Sequence, residues 1–261
     1  MSVGIAVMAK VPCAGRSKTR LVPMLSPGEA AAMSGAFLRD ITGNLARVAM
    51  DGAVVPYVAY APAGAAEAVR EYLAPGTGLL LADGSGDAPA GVQGFGRCLL
   101  DAIGAMLDQG HDAACVLNAD SPTLPPRLLH EAAACLTGPG DGAVMGPAED
   151  GGYYLLGMRR AHAGLLANID WSTDQVAAQT RARAAAMGLS LTELPVWYDV
   201  DEPSELERLI GELAGGACGE RYHAPHTAAC VARLGLAARF STGPAHRAAF
   251  QNASGAARVG A

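Results

Sequence analysis

Lysine is nearly missing from this 261-residue chain: Lys10 and Lys18 are the only two, and the rest of its 19 basic residues are arginine. Broad positive charge is missing as well. A net charge of -6, with 17% charged residues, argues against a general nucleic-acid or anionic-membrane surface, which needs cations clustered over a wide face. No apolar stretch approaches the ~20 residues that span a bilayer, so membrane insertion is not expected. The six cysteines (Cys13, Cys98, Cys115, Cys135, Cys218, Cys230) include no CxxC pair, which argues for reduced thiols over a redox motif or a disulfide framework. The opening MSVGIAVMAK puts its lysine after the apolar run, the reverse of a secretory signal, and cytoplasmic residence is the expectation. Aromatics are scarce at 5%.

What the chain has is apolar mass, 51% hydrophobic residues, enough to bury a full core in one large domain. Residues 3–8 form a short apolar run that reads as a buried parallel strand. It feeds the loop AKVPCAGRSKTRL, where Lys10, Arg16, Lys18 and Arg20 lie together. Ser26, Pro27 and Glu29 make a capping box, followed by Ala30, Met33, Phe37, Ile41, Leu45 and Val48 at helical spacing. Further apolar runs at 54–59, 79–81, 113–117, 143–145 and 189–194 alternate with helical patterns near 66–73, 95–107, 127–136 and 174–187. That alternation predicts an α/β fold. A strand over 153–157 follows a Gly-Gly pair with no intervening helix, so part of the sheet is expected to be mixed. The domain is expected to occupy residues 1–214. Residues 215–261, rich in alanine, glycine, histidine and arginine, read as a small helical appendage ending in a frayed tail.

Four constellations could carry chemistry. In the basic loop, Gly15, Lys18 and Thr19 imitate a Walker A element, but the earlier glycine and the immediate Gly-Lys pair are missing, so a P-loop NTPase is not indicated. What remains is a turn whose N–H groups and four cations could surround a diphosphate; the alternative is a solvated basic loop. In NADSPTLP, Asp120 follows the apolar run 113–117, where a carboxylate at a strand's carboxyl end could hold Mg²⁺; it could equally cap a turn before Ser121 and Pro122. In GPAEDGGYYLLG, Glu149 and Asp150 precede Gly151 and Gly152, so one acid could orient a hydroxyl while the other serves as base; a plain Asp-Gly turn is the competing reading. In WYDVDEPSEL, Asp199 and Asp201 share a face at period two and could complete a metal site with Asp120, although Asp201 is also well placed to cap the following helix.

Two minor features stand beside these. Trp171 in DWSTDQV could line a sugar or base pocket or pack in the core, with Ser172 or Thr173 as a helix cap. Cys218, His223, His226 and Cys230 have zinc-ligand chemistry, but their spacing fits no familiar finger.

Taken in order, these motifs resemble those of a bacterial glycosyltransferase-A-like family, catalogued as a domain of unknown function and often labelled a radical-SAM/selenodomain-associated transferase. The resemblance spans about residues 1–213 and implies a nucleotide-diphospho-sugar transferase fold. That fold is three-layered, with a mixed, mostly parallel sheet between helices and nucleotide at the strand ends. Fold relatives include the molybdenum-cofactor and 2-phospho-L-lactate guanylyltransferases. The resemblance implies that Lys10, Gly15, Arg16, Lys18, Thr19 and Arg20 meet the nucleotide phosphates, with Gln93 and Arg97 in the segment before a helix that closes over the nucleotide. Asp120 and Asp201 would hold Mg²⁺ or Mn²⁺. Lys18 and Asp150 are the catalytic candidates, and Glu149, Gly151, Gly152, Trp171 and Asp199 the substrate-binding ones. Asn118 stands where the family usually has the glycine of Gly-x-Asp.

The expected activity is metal-dependent transfer of a sugar from a nucleoside diphosphate sugar to a small acceptor, where charge neutralisation supplies most of the rate. The alternative is a nucleotidylyltransferase, in which an acceptor phosphate attacks an NTP and pyrophosphate leaves. A third possibility, a nucleotide-sensing module without catalysis, would have to tolerate several acids beside one cationic loop.

Overall fold

The computed structural model describes residues 1–22, 24–138, 140–215 and 222–241. A seven-stranded sheet is formed by β1 (Val3–Lys10), β2 (Val54–Ala61), β3 (Gly78–Leu81), β4 (Ala113–Leu117), β5 (Gly142–Pro147), β6 (Tyr153–Met158) and β7 (Ser190–Glu193), in the order β3-β2-β1-β4-β6-β5-β7. Every pairing is parallel except those of β6, which runs antiparallel to both β4 and β5. The sheet is therefore mixed, as the helix-free step into residue 153 predicts. Because β6 reverses between β4 and β5, the carboxyl end of β5 returns to the edge where β1 and β4 end. That edge receives the ligand in open α/β sheets.

Strand alternation sorts the core into two halves. Val3, Ile5, Val7 and Ala9 of β1 face one apolar cluster, with α1 (Pro27–Val48), α4 (Pro126–Thr137) and α6 (Pro203–Ala214), while Ala6 faces a second with α3 (Phe95–Asp108) and α5 (Val176–Ala186). The short α2 (Ala66–Arg70) links β2 to β3. This is the expected three-layer α/β/α arrangement. The capping box of α1 forms as read, with Ser26 Oγ accepting from the Glu29 N–H at 3.3 Å and a Glu29 carboxylate oxygen accepting from the Ser26 N–H at 2.8 Å. The cap of α6 departs from the reading: Glu202, not Asp201, caps it, in a box with Glu205. Asp201 is thereby free for other work. Ser172 and Thr173 do not cap α5 either. Gln175 precedes it without a side-chain cap, and Thr173 closes the preceding turn by donating to the Asp170 carbonyl.

Beyond α6, residues 225–241 form α7 (Pro225–Arg233) and α8 (Leu236–Ser241), helical as expected but docked on the domain. Asp40, 2% exposed in the middle of α1, accepts from the N–H groups of His226 and Thr227 at 3.0 and 2.7 Å, so a carboxylate from one helix caps the start of another. Burial raises the Asp40 pKa, and the bonds from Thr227 and His226 oppose that shift. Arg239 closes the far end by a two-pronged pair with Glu29. Asp40→Ala removes the cap and orphans two N–H groups. It is expected to cost about 1–3 kcal/mol and to lower the unfolding midpoint by several degrees, read by thermal denaturation; an unchanged midpoint would show that α7 does not depend on this contact.

Candidate functional site

At the carboxyl edge of β1, β2 and β4 lies an open cleft of about 550 Å³. Small side chains at the strand ends, Ala9, Ala59, Ala61 and Ala82, floor it, and Leu38 and Phe95 give it apolar sides. Lys10, Arg16, Lys18, Thr19 and Arg20 line it from the basic loop, and Asp120 and Asp201 line it from across. The structure thus brings the first and last constellations of the sequence together.

The loop has a defined shape. The N–H groups of Arg16 and Ser17 both bond the Cys13 carbonyl, Ser17 Oγ accepts from the Cys13 N–H, and Gly15 turns the chain at φ 76°. Lys18 then adopts a left-handed backbone, φ 48° and ψ 43°, which costs a non-glycine residue roughly 1–2 kcal/mol. That turn sends its side chain inward. The Lys18 side chain is only 4% exposed, and its ammonium is enclosed by protein oxygens. It donates to the Val200 carbonyl at 2.7 Å and to Asp201 Oδ1 at 2.8 Å, pairs with Asp120 Oδ1, and sits 5.2 Å from the centre of the Phe37 ring. Burial alone would lower its pKa, but Asp120 and Asp201 outweigh burial and the net shift is upward. An ammonium has three N–H donors, and all three are taken by protein oxygens. Lys18 is therefore placed differently from the phosphate contact the sequence suggests. Lys10 and Arg16 have no ion pair among the described residues, and Arg20 has only a 3.7 Å exposed one with Glu202.

The carboxylates reach this edge by two routes. Asp120 follows β4 directly, whereas Asp199 and Asp201 ride on the segment after β7, which is laced to β4's exit. The Val200 N–H bonds the Asp120 carbonyl at 2.9 Å, and Ser121 Oγ donates to the Tyr198 carbonyl at 2.9 Å. Asn118, in the place of the family's glycine, donates from Nδ2 to Ser121 Oγ. Asp199 feels the concentration of charge most. Burial first, then Asp150, Asp201 and Asp120, push its carboxyl up to about 7.

Other expected residues sit elsewhere. Asp150 accepts from the Gly152 N–H in the turn joining β5 to β6, outside the cleft lining but close enough to act on Asp199. Both oxygens of Glu149, which does not line the cleft, are held by Arg208, which also stacks 3.7 Å above the Tyr198 ring. Gly151, at φ 88°, packs on backbone: a Cβ there would lie 2.1 Å from the Asp174 carbonyl oxygen. Gly152 lies in the same turn, and its N–H serves Asp150. Trp171 does not line the cleft but stands edge-on to Phe95, which does, and to Tyr153. Gln93 does not line the cleft, and Arg97 braces the 84–86 loop through the Gly84 and Gly86 carbonyls. Phe95, Cys98, Ser34 and Leu38 line the cleft without having been singled out. Phe95 and Cys98 share the helical face of α3 that carries Leu99, Ala102, Ile103 and Met106, so their spacing reads as core and gave no signal of the cleft.

Among the described residues no three His, Cys, Asp or Glu side chains converge as a ready-made metal cage, and Cys218 of the suggested zinc set lies outside those residues. Mg²⁺ does not need such a cage, since it takes one or two carboxylates and completes its shell with water and phosphate. Asp120 and Asp201, 38% and 36% exposed, keep oxygen free on the cleft side. The donor set fits a divalent ion, and Asp199's raised pKa marks the excess negative charge such an ion would relieve.

That pKa has a stability consequence. A carboxyl titrating near 7 when folded and near 3.9 when unfolded costs nothing below about pH 4 and carries its full cost above 7. In metal-free protein, Asp199→Asn is therefore expected to raise the unfolding midpoint by several degrees at pH 8 and not at pH 4. A variant equally or less stable than wild type at both pH values would contradict this account of Asp199.

Comparison with known proteins agrees with the fold. The family described as "Uncharacterized protein conserved in bacteria (DUF2064)" matches residues 44–173. No curated protein matches the chain in sequence. Among solved structures, a candidate nucleotide-diphospho-sugar transferase from Desulfovibrio desulfuricans G20 is 26% identical with a TM-score of 0.77, over 90% of this chain and 96% of that one. CMP:2-keto-3-deoxy-manno-octonic acid synthetase, complexed with CTP, shares the fold at 14% identity and a TM-score of 0.51, over 82% and 99%. A cytidylyltransferase from Leptospira borgpetersenii serovar Hardjo-bovis does so at 15% and 0.51, over 90% and 96%. By this match and the shared fold, the chain is similar to the DUF2064 family over residues 44–173 and has the fold of a GT-A-like nucleotide-diphospho-sugar transferase.

Proposed function

We propose that the protein is a metal-dependent, nucleotide-using transferase that moves a sugar from a nucleoside diphosphate sugar to a small acceptor. The observation that carries this reading is the opposition, across one cleft, of Lys10, Arg16 and Arg20 to Asp120 and Asp201. Cations alone would suit any anion. A facing pair of carboxylates suits a diphosphate only if a divalent cation, Mg²⁺ or Mn²⁺, lies between, where it would neutralise phosphate oxygens.

In this reading the alanine floor and Leu38 take the nucleoside, and Lys10, Arg16 and Arg20 hold the diphosphate as negative charge builds on it. The bond from the sugar's anomeric carbon to the diphosphate breaks as a bond to the acceptor oxygen forms. The acceptor's proton passes to the Asp150–Asp199 pair. Asp199, titrating near 7, has the affinity a base needs at neutral pH, and Phe95 and Trp171 offer apolar faces for a sugar ring. Nucleotidylyl transfer is the second reading. The loop favours it by turning three cations toward the cleft, enough for the β- and γ-phosphates of an NTP.

A thermal-shift panel of nucleotides and nucleotide sugars, with and without Mg²⁺ or Mn²⁺, is the first test. Stabilisation by a nucleoside diphosphate sugar only with metal is expected, with no pyrophosphate released. Pyrophosphate release from an NTP and a phosphorylated acceptor would instead establish the second reading, and binding without turnover in wild type would leave a sensing module. Asp120→Asn is expected to lower turnover by at least a hundredfold and to abolish the metal-dependent shift. Arg16→Ala is expected to weaken nucleotide binding by about tenfold. Nucleotide binding indifferent to both substitutions would remove this cleft as the site.

A further inference from the structure

The mechanism above leaves Lys18 without a partner in the substrate, yet no side chain at the site is more deeply committed. Its ammonium joins the Val200 carbonyl, Asp120 and Asp201. It is held there by a left-handed backbone that costs energy and by a loop closed with three hydrogen bonds. Asp120 and Asp201 come to this edge from distant parts of the chain, and Lys18 is the cation that bonds both. Without it, Asp120 and Asp201 would face each other with no compensating charge.

We propose that Lys18 is a resident counter-cation, which keeps Asp120 and Asp201 assembled before metal arrives and competes with the divalent ion for the same carboxylates. This inference rests on the metal-dependent reading. Lys18 is then a positioning residue that sets how tightly the site takes its metal, not a phosphate contact. A divalent ion and an ammonium on the same two carboxylates repel each other and divide one negative charge between them. The lysine's flexible four-carbon stem allows its ammonium to shift as metal enters, and the cleft-side exposure of Asp120 and Asp201 leaves a face open for that entry.

Calorimetric titration with MnCl₂ alone tests the competition. Lys18→Met is expected to bind Mn²⁺ at least tenfold more tightly than wild type. Its midpoint should fall in chelator and recover with Mn²⁺, while Lys18→Arg, which keeps the charge, should stay near wild-type affinity. A Lys18→Met protein that binds Mn²⁺ no more tightly than wild type would overturn the inference and leave the metal-dependent transferase standing. Mn²⁺ binding to neither protein would overturn both. The scarcity of lysine supplies a second readout that does not depend on any Lys18 variant folding. Protein labelled with ¹⁵N at lysine Nζ has two such signals, assigned by Lys10→Arg. Titration with MgCl₂ is expected to move the Lys18 signal and collapse its protection from solvent exchange. A Lys18 signal unmoved at saturating Mg²⁺ would show that metal and ammonium do not share the carboxylates.

Discussion

The site depends on one ammonium. Lys18 Nζ joins the basic loop after β1 to the exit of β4 and to the segment before α6, tying residue 18 to residue 201, which lies 183 positions away. Take that contact away and two aspartates lose the charge that lets them share an edge; take away the lacing of Val200 and Tyr198 to residues 120 and 121 and the aspartates never meet. The sheet supplies the place, because β1, β4 and β5 all end at one rim. The ammonium supplies the reason why so much negative charge is tolerated there.

Electrostatic balance also explains the division of labour among residues of the same type. Asp201 is available because Glu202 takes over the capping of α6. Glu149 is withdrawn because Arg208, stacked on Tyr198, holds both its oxygens. Asp199, half-buried and with no ion pair among the described residues, has the raised pKa. Five acids that look alike in sequence thus become a helix cap, an ion-pair arm, two ligand candidates and a carboxyl with a raised pKa. The difference lies in which cation or N–H each one meets.

Much of the fold was legible in the sequence because it is written in periodicities. The strand runs and helical stripes follow burial, the Ser26–Glu29 box follows local hydrogen bonding, and the Gly-Gly pair before residue 153 announces the antiparallel strand. Motif spacing also marked Asp120 and Asp201 as carboxylates that could share a site, and the structure brings both to Lys18. Contacts between distant segments were not legible. No local pattern says that residue 18 points inward while residues 10 and 16 stay open, that Asp40 of α1 caps α7, or that Gly151 is needed for a close approach to Asp174. The alanine floor of the cleft was equally silent, since alanine at a strand end reads as ordinary core.

The most direct measurement is a crystal structure of the protein soaked with a nucleoside diphosphate and Mn²⁺, with data collected for anomalous scattering from manganese. The account predicts a manganese peak against the open oxygens of Asp120 and Asp201, the diphosphate between that ion and Arg16, and the ammonium of Lys18 displaced from its metal-free position. A nucleotide bound away from this cleft, or a diphosphate held with no metal and Lys18 unmoved between the two aspartates, would contradict it.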